Sequence, residues 1–322
     1  MLEELLKERK CFKLVCGAGN EDVEEVEKLV ALYAKAGARY FDLSAKPEVV
    51  DAAYRGLRRV VPEEEVENYY FNVSVGIKGD PHVSKADIDR SKCIACGNCF
   101  GACEQEAIIS ENGYSVNRVR CIGCGKCRSN CPQEAITMLS ENKDLNEVLP
   151  PLVKKGLSSI ELHVVSDDLD KIYEQWKAVT ENFDGVLSIC TDRSHASDVE
   201  LKRRIETMIA GRKPWSTIIQ ADGAPMSGSD DNYSTTLQAV ATAQIVQRLD
   251  LPVFILLSGG TNSKTTELAQ MCDVKAHGIA IGSYGRKLVK EYIQDENFWS
   301  EEIFGKALKI ATELVDKCME KL

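Results

Sequence analysis

Cys93-Ile94-Ala95-Cys96-Gly97-Asn98-Cys99-Phe100-Gly101-Ala102-Cys103, repeated as Cys121-Ile122-Gly123-Cys124-Gly125-Lys126-Cys127-Arg128-Ser129-Asn130-Cys131, decides how the rest of the chain divides. Each run reads C-x-x-C-x-x-C-x-x-x-C. Thiolates at every third position let one short loop wrap three corners of an iron–sulfur cubane, and the fourth ligand must come from another part of the fold. Structural zinc usually takes two pairs of ligands rather than a triplet plus one, and disulfides are a weaker reading still.

The segment resembles bacterial two-cluster ferredoxins, in which the fourth cysteine of each run ligates the other run's cluster. The resemblance implies one [4Fe-4S] cluster on Cys93, Cys96, Cys99 and Cys131, and a second on Cys121, Cys124, Cys127 and Cys103. Pro132 follows Cys131 as that pattern expects, whereas Glu104 follows Cys103. Glu106-Ala107-Ile108-Ile109 and Glu134-Ala135-Ile136-Thr137 read as paired short strands, one after each run.

Outward from the cysteines, strands and helices alternate. Strands are predicted over 12–17, 40–44 and 70–76 before the runs, and over 160–165, 186–191, 217–221, 253–257 and 278–281 after them. A short charged helix over 2–10 precedes the first strand, and helices are expected over 22–35, from Pro47 onward, and over 145–155, 169–182, 199–210, 234–249 and 264–271. Because the alternation resumes, the cysteine segment interrupts a loop rather than ending a domain. With helix 145–155 assigned to the third strand there are eight βα units, which predicts an α/β fold: a closed (β/α)8 TIM-like barrel formed by residues 1–77 and 142–322 around an inserted ferredoxin-type domain, 78–141. A doubly wound open sheet is the alternative. The insert leaves from the carboxyl end of the third strand, the face where barrel active sites lie.

Strand alternation also predicts an unusual interior. If Phe12, Leu14, Phe41, Leu43, Phe71, Val73, Ile160, Leu162 and Val164 face helices, then Lys13, Asp42, Ser44, Asn72, Ser74, Glu161 and His163 point inward, joined by Gln220 and Asp222. Buried polar groups cost several kcal/mol unless paired. These residues therefore form a structural network or a ligand pocket. Lys13, Asp42, Glu161 and His163 are the catalytic candidates, with Lys13 paired to Asp42 or Glu161 and His163 able to move protons near neutral pH. Asn72, Gln220 and Asp222 are candidate ligand contacts.

Ser258-Gly259-Gly260-Thr261-Asn262 after the seventh strand, and Gly282-Ser283 with Arg286 after the eighth, match the place where barrels present backbone N–H groups to a phosphate. FMN or another phosphate-bearing ligand is the candidate there. Gly17-Ala18-Gly19 lacks the third glycine of a dinucleotide fingerprint and has Asp22 in its place, which would oppose a pyrophosphate. Cys11 and Cys16 have the wrong spacing for a radical-SAM loop. Residues 222–235 read as a lid or a flexible loop.

In 322 residues, 40 Lys and Arg oppose 50 Asp and Glu, a net charge of −10, which argues against a nucleic-acid partner. No apolar run follows a basic N-terminus, and no stretch approaches the ~18 apolar residues of a membrane span. The expectation is a cytoplasmic protein, or a matrix or stroma protein after processing, with no membrane partner. Cys11, Cys16, Cys190, Cys272 and Cys318 read as buried free thiols.

The order of Phe12-Lys13-Leu14-Val15-Cys16-Gly17, Tyr40-Phe41-Asp42-Leu43-Ser44, the cysteine runs and Gln220-Ala221-Asp222-Gly223-Ala224-Pro225-Met226-Ser227-Gly228 resembles the light-dependent period (LdpA) protein family over most of the chain. Members are cyanobacterial iron–sulfur proteins that report cellular redox state to the circadian clock, and the resemblance implies a redox-sensing or electron-transfer role. No residue here identifies a clock partner. A looser resemblance joins the chain to flavin-binding barrels that take electrons from ferredoxin domains. The resulting expectation is a protein that moves or senses electrons through two clusters, with redox partner proteins and a small-molecule ligand in the barrel. A ferredoxin-linked oxidoreductase feeding a flavin or another phosphate-bearing cofactor or substrate, and a scaffold subunit of a redox complex, are the alternatives.

Overall fold

Short alternating strands and helices, several of the helices started by a side-chain cap, build the barrel. The computed structural model describes residues 1–17, 19–77, 84–140, 144–193, 196–223 and 230–322. Helix α1 (Leu2–Lys7) precedes β1 (Cys11–Val15), α2 (Val23–Lys35), β2 (Tyr40–Ser44), α3 (Pro47–Arg58) and β3 (Tyr70–Gly76). Asp22 caps α2 by accepting from the N–H groups of Glu24 and Glu25. Pro47 sits in the first turn of α3, where its missing N–H costs nothing.

The insert follows as β4 (Ser84–Ile88), α4 (Asn98–Gly101), β5 (Ile108–Ile109), β6 (Ser115–Val116), α5 (Lys126–Ser129) and β7 (Ile136–Ser140). Its expected edges at 78 and 141 fall in 78–83 and 141–143, outside the described residues. The barrel resumes through α6 (Leu145–Val153), β8 (Ser159–His163), α7 (Leu169–Asn182), β9 (Val186–Thr191), α8 (Asp198–Ile209), β10 (Thr217–Asp222), α9 (Tyr233–Arg248), β11 (Phe254–Ser258), α10 (Thr265–Met271), β12 (Gly278–Ile281), α11 (Ser283–Ile293) and α12 (Glu301–Met319).

The barrel order is β1-β12-β11-β10-β9-β8-β3-β2, every neighbouring pair parallel. Pairing of β1 with β12, Cys11 beside Gly278 and Lys13 beside Ala280, closes the sheet and excludes the doubly wound alternative. Since β3 pairs directly with β8, the insert lies outside the barrel sheet.

The strands flanking the cysteine runs pair differently from expectation. The two that follow the runs do not pair with each other: β5 pairs antiparallel with β6, and β7 with β4. Each strand that follows one run therefore lies beside the strand that precedes the other. Cys103, just ahead of β5, is carried toward Cys121, and Cys131, just ahead of β7, toward Cys93.

Phe12, Leu14, Phe41, Leu43, Phe71, Val73, Ile160, Leu162 and Val164 all join the main core between strands and helices. Each such fully buried side chain contributes roughly 1.5–3 kcal/mol relative to exposure. Phe41 and Phe71, in register on β2 and β3, meet at a tilt with centroids 5.9 Å apart, so Phe41→Ala would open a cavity costing about 3–5 kcal/mol. The amino-terminal end of the barrel is closed by a second apolar cluster in which Leu2 and Leu6 of α1 cover Cys11, Tyr40, Val186, Ile218, Phe254 and Leu256. Among the described residues no helix is long and apolar enough to cross a membrane.

Candidate functional site

The insert gathers its cysteines into two groups of four. Cys93, Cys96, Cys99 and Cys131 line one small cavity with Pro132 and Ile136. In the other group burial, then the neighbouring Cys124, Cys121 and Cys103, push the Cys127 thiol up to about 11. None of the thirteen cysteines is in a disulfide. The donor chemistry fits iron–sulfur ligation: four sulfurs per group, with backbone N–H groups of Ala86, Ala107 and Ala135 donating to Cys121, Cys103 and Cys131 at 3.4, 3.3 and 3.3 Å. Positive φ recurs at matching positions of the two runs, Ala95 with Gly123 and Gly97 with Gly125, so both loops turn the same way.

Within the barrel, alternation turns the polar side chains inward as the sequence predicts. Lys13 donates to Glu161 Oε2 at 2.7 Å and to Gln220 Oε1 at 3.0 Å, with Asp42 at 3.9 Å. Gln220 Nε2 donates to Glu161 Oε1 at 2.7 Å, and Ser188 to Oε2 at 3.0 Å. His163 Nε2 shares a hydrogen bond with Glu161 Oε1 at 3.1 Å. Asp42 accepts from Asn72 and, at 2.7 Å, from Ser74. Ser159 gives its one proton to Asn72 Oδ1 at 2.7 Å, so the Tyr40 hydroxyl, 2.6 Å away, donates to Ser159.

This network sets its own charges. Burial alone would neutralise Lys13, but Glu161 and then Asp42 outweigh it and raise the ammonium's pKa, keeping it charged. Glu161 is driven up by burial and, more strongly in sum, down by Lys13 and His163, so it stays ionised. Asp42 lies above the ordinary carboxylate range, because burial and the charge of Glu161 exceed what Lys13 and its hydrogen bonds return.

Above the network lies a cavity of about 90 Å³. Its walls include ten of the twelve predicted barrel-site residues: Asp42, Glu161, His163, Gln220, Asp222, Gly259, Gly260, Gly282, Ser283 and Arg286. Lys13 and Asn72 are not in the wall; they lie fully buried within the network. Gly259 has φ +67, and a Cβ there would stand 2.0 Å from Asp222 Oδ1, so glycine is required. Gly282 is not so constrained, since its Cβ would meet Val15 at 3.4 Å, an ordinary contact. It is the residue ahead of α11, whose N-terminus carries no side-chain cap. Arg286, 9 % exposed, donates from Nη1 to Gln105 at 3.1 Å, while its buried Nε has no partner. Of the predicted lid, 224–229 lies outside the described residues; Asn262 holds the end of the loop through the carbonyls of Asp230 and Asn232.

Four wall and joint residues escaped the sequence reading. Ser188 and Cys190 alternate inward on β9, beside Glu161 and His163 in register, a period-two signal legible in Val186-Leu187-Ser188-Ile189-Cys190. Ile122, next to Cys121, lines the barrel cavity together with Gly19. Lys85, 3 % exposed, donates to the carbonyls of Gly19 and Cys121 at 2.6 and 2.8 Å and pairs with Glu21 at 3.3 Å. No local pattern announces these last two, because they join segments far apart in the chain.

The family described as the light dependent period A C-terminal domain matches residues 152–317, just over half of the chain, and a 4Fe-4S dicluster domain matches residues 86–138. The chain belongs to the light dependent period A family. It is an iron–sulfur protein of redox or redox-sensing type. Light dependent period A from Synechococcus elongatus is 29% identical over 303 residues, covering 90% of this chain and 84% of that protein. Among solved structures the chain is similar to the YdjI aldolase from Escherichia coli K12, with a TM-score of 0.51 and 9% identity over 100% of this chain and 97% of that one. Tryptophan synthase from M. tuberculosis aligns at a TM-score of 0.47 and 12% identity, covering 98% of each chain. At such identities the likeness concerns the fold alone.

Proposed function

We propose that the chain carries two [4Fe-4S] clusters, on Cys93, Cys96, Cys99 and Cys131 and on Cys103, Cys121, Cys124 and Cys127, and that it senses redox state by coupling the second to an anion in the barrel cavity. When bound, each cluster would accept and return one electron. The observation that carries the reading is the shared wall: Ile122 follows a cluster cysteine and lines the cavity, and Lys85 clamps the Cys121 carbonyl to that of Gly19. The anion's place is the N-terminus of α11 with the glycine loop 259–260 and the unpartnered Nε of Arg286. Glu161 and Gln220 line the cavity below it, held in place by Lys13 beneath them.

A volume of about 90 Å³ supports a small phosphate-bearing ligand rather than FMN, since cofactor pockets run to ~300–1,000 Å³. The oxidoreductase reading then survives for a small substrate only. An anion beside a cluster disfavours further negative charge, so binding lowers that cluster's potential. The test is an EPR-monitored redox titration of anaerobically purified protein with and without inorganic phosphate. Phosphate is expected to lower the potential of one cluster and leave the other unchanged. Equal shifts in both, or none, would remove the coupling.

A further inference from the structure

The cavity also holds a group of side chains to which the cluster reading and the anion cradle give no chemistry of their own. Glu161, His163 and Cys190 each offer a ligand atom, all within 4.8 Å of one another, and all three are buried in the cavity wall. They lie on adjacent strands, with Glu161 and His163 two positions apart on β8 and Cys190 in register with His163 on β9, so their spacing is set by the barrel ladder. We propose that these three residues bind a mononuclear divalent metal ion of borderline softness, zinc or ferrous iron, with an open coordination position facing the cavity.

The donor set is one thiolate, one imidazole and one carboxylate, the mixture such ions take, and three protein ligands beside a cavity leave a fourth place for water or ligand. The site is built in its outer shell as well. Glu161 Oε2 is fixed by Lys13 and Ser188, and Oε1 by Gln220, which orients the oxygen that His163 approaches at 3.1 Å. The ion would take the place of the proton now shared between His163 Nε2 and Glu161 Oε1. Among the described residues, Glu161 stays ionised in the cavity wall, with Lys13 at 2.7 Å on its Oε2 side and His163 at its Oε1. A divalent ion on the Oε1 side would complement that buried carboxylate as Lys13 does on the Oε2 side. The cavity is then bipolar, with a metal at the β8–β9 side and an anion cradle at the β11–β12 side. A small molecule bearing a phosphate and an oxygen ligand some bonds away spans the two.

The test uses the cluster-loaded chain and zinc alone as probe. Equilibrium dialysis is expected to show one zinc per chain beyond the cluster iron, and zinc-edge X-ray absorption a shell of one sulfur with nitrogen or oxygen neighbours. Binding should tighten as pH rises, because the metal displaces protons from the thiol and the imidazole. Cys190→Ala removes the sulfur from that shell, and Ser188→Ala, a milder change, weakens binding about 10–100-fold as outer-shell losses do, with iron content unchanged. Absence of retained zinc, a shell of three or four sulfurs from the cysteine runs, or binding indifferent to both variants would overturn the proposal. Iron content is read separately, so failure of the cluster assignment is distinguishable from failure of this site.

Discussion

Two runs with one spacing end in opposite environments. The quartet of Cys93, Cys96, Cys99 and Cys131 faces outward, with Cys96 exposed and flanked by Ile94 and Phe100, which are 61% and 52% exposed. The quartet of Cys103, Cys121, Cys124 and Cys127 leans on the barrel, with Cys121 and Cys127 buried and Lys85 binding its edge to the loop after β1. Around it, Arg286 holds Gln105, and Lys290 pairs with Glu106 at 2.6 Å. A repeat in sequence has become two different surroundings in space. One quartet is open to solvent, and the other lies against the barrel cavity.

The largest test removes one quartet. Wild-type protein should hold about eight iron and eight sulfide, and Cys131→Ala about four of each, with the signal of the Cys93, Cys96 and Cys99 cluster lost although Cys131 belongs to the other run. Cys103→Ala should remove the other signal. If each substitution instead damages the cluster of its own run, the crossed pairing of β4 with β7 and β5 with β6 does not dictate ligation.

Next is the barrel's charge balance. Lys13→Met leaves the buried Glu161 carboxylate without its ammonium partner, and should cost about 3–5 kcal/mol in denaturant unfolding followed by circular dichroism. Lys13→Met combined with Glu161→Gln should recover most of that loss. If redox titration of the double variant moves the outward cluster as much as the barrel-facing one, the proposed asymmetry is wrong.

Arg286→Met sharpens the comparison with a smaller effect. It removes a charge-assisted hydrogen bond worth about 1.5–3 kcal/mol, so phosphate affinity should fall at least about tenfold by calorimetry, with both cluster spectra intact. An effect that spares both quartets lies at the far end of the barrel, where burial, then Arg9, hold His277 down at about 4. The unfolded chain takes up this proton near 6.5 and the folded one only near 4, so stability falls as pH drops through that window, by at most about 1.4 kcal/mol per pH unit. His277→Gln should lack this slope in pH-dependent melting and leave both quartets untouched.

Much of this was legible beforehand because it depends on local spacing. The strands Tyr40–Ser44 and Tyr70–Gly76 and helix Leu169–Asn182 fall where periodicity and caps put them. Lys13, Asp42, Glu161, His163 and Gln220 point inward because a strand has no other way to alternate. Their division into cavity wall and buried network was not legible. Lys13 and Asn72 lie one layer deeper than Asp222 or Ser258, and depth depends on strand stagger around the closed barrel, which no single strand encodes.

By itself, then, the sequence determined the cysteine quartets' chemistry, the eight βα units and the polar sign of the interior, each a property of residues within a few positions of one another. Only the tertiary structure decided which quartet touches the barrel, that Cys190 joins Glu161 and His163, and that Lys85 joins Cys121 to Gly19. These contacts arise from barrel closure and from docking of the insert on α2 and α11, where residues remote in the chain meet and their burial is settled by packing.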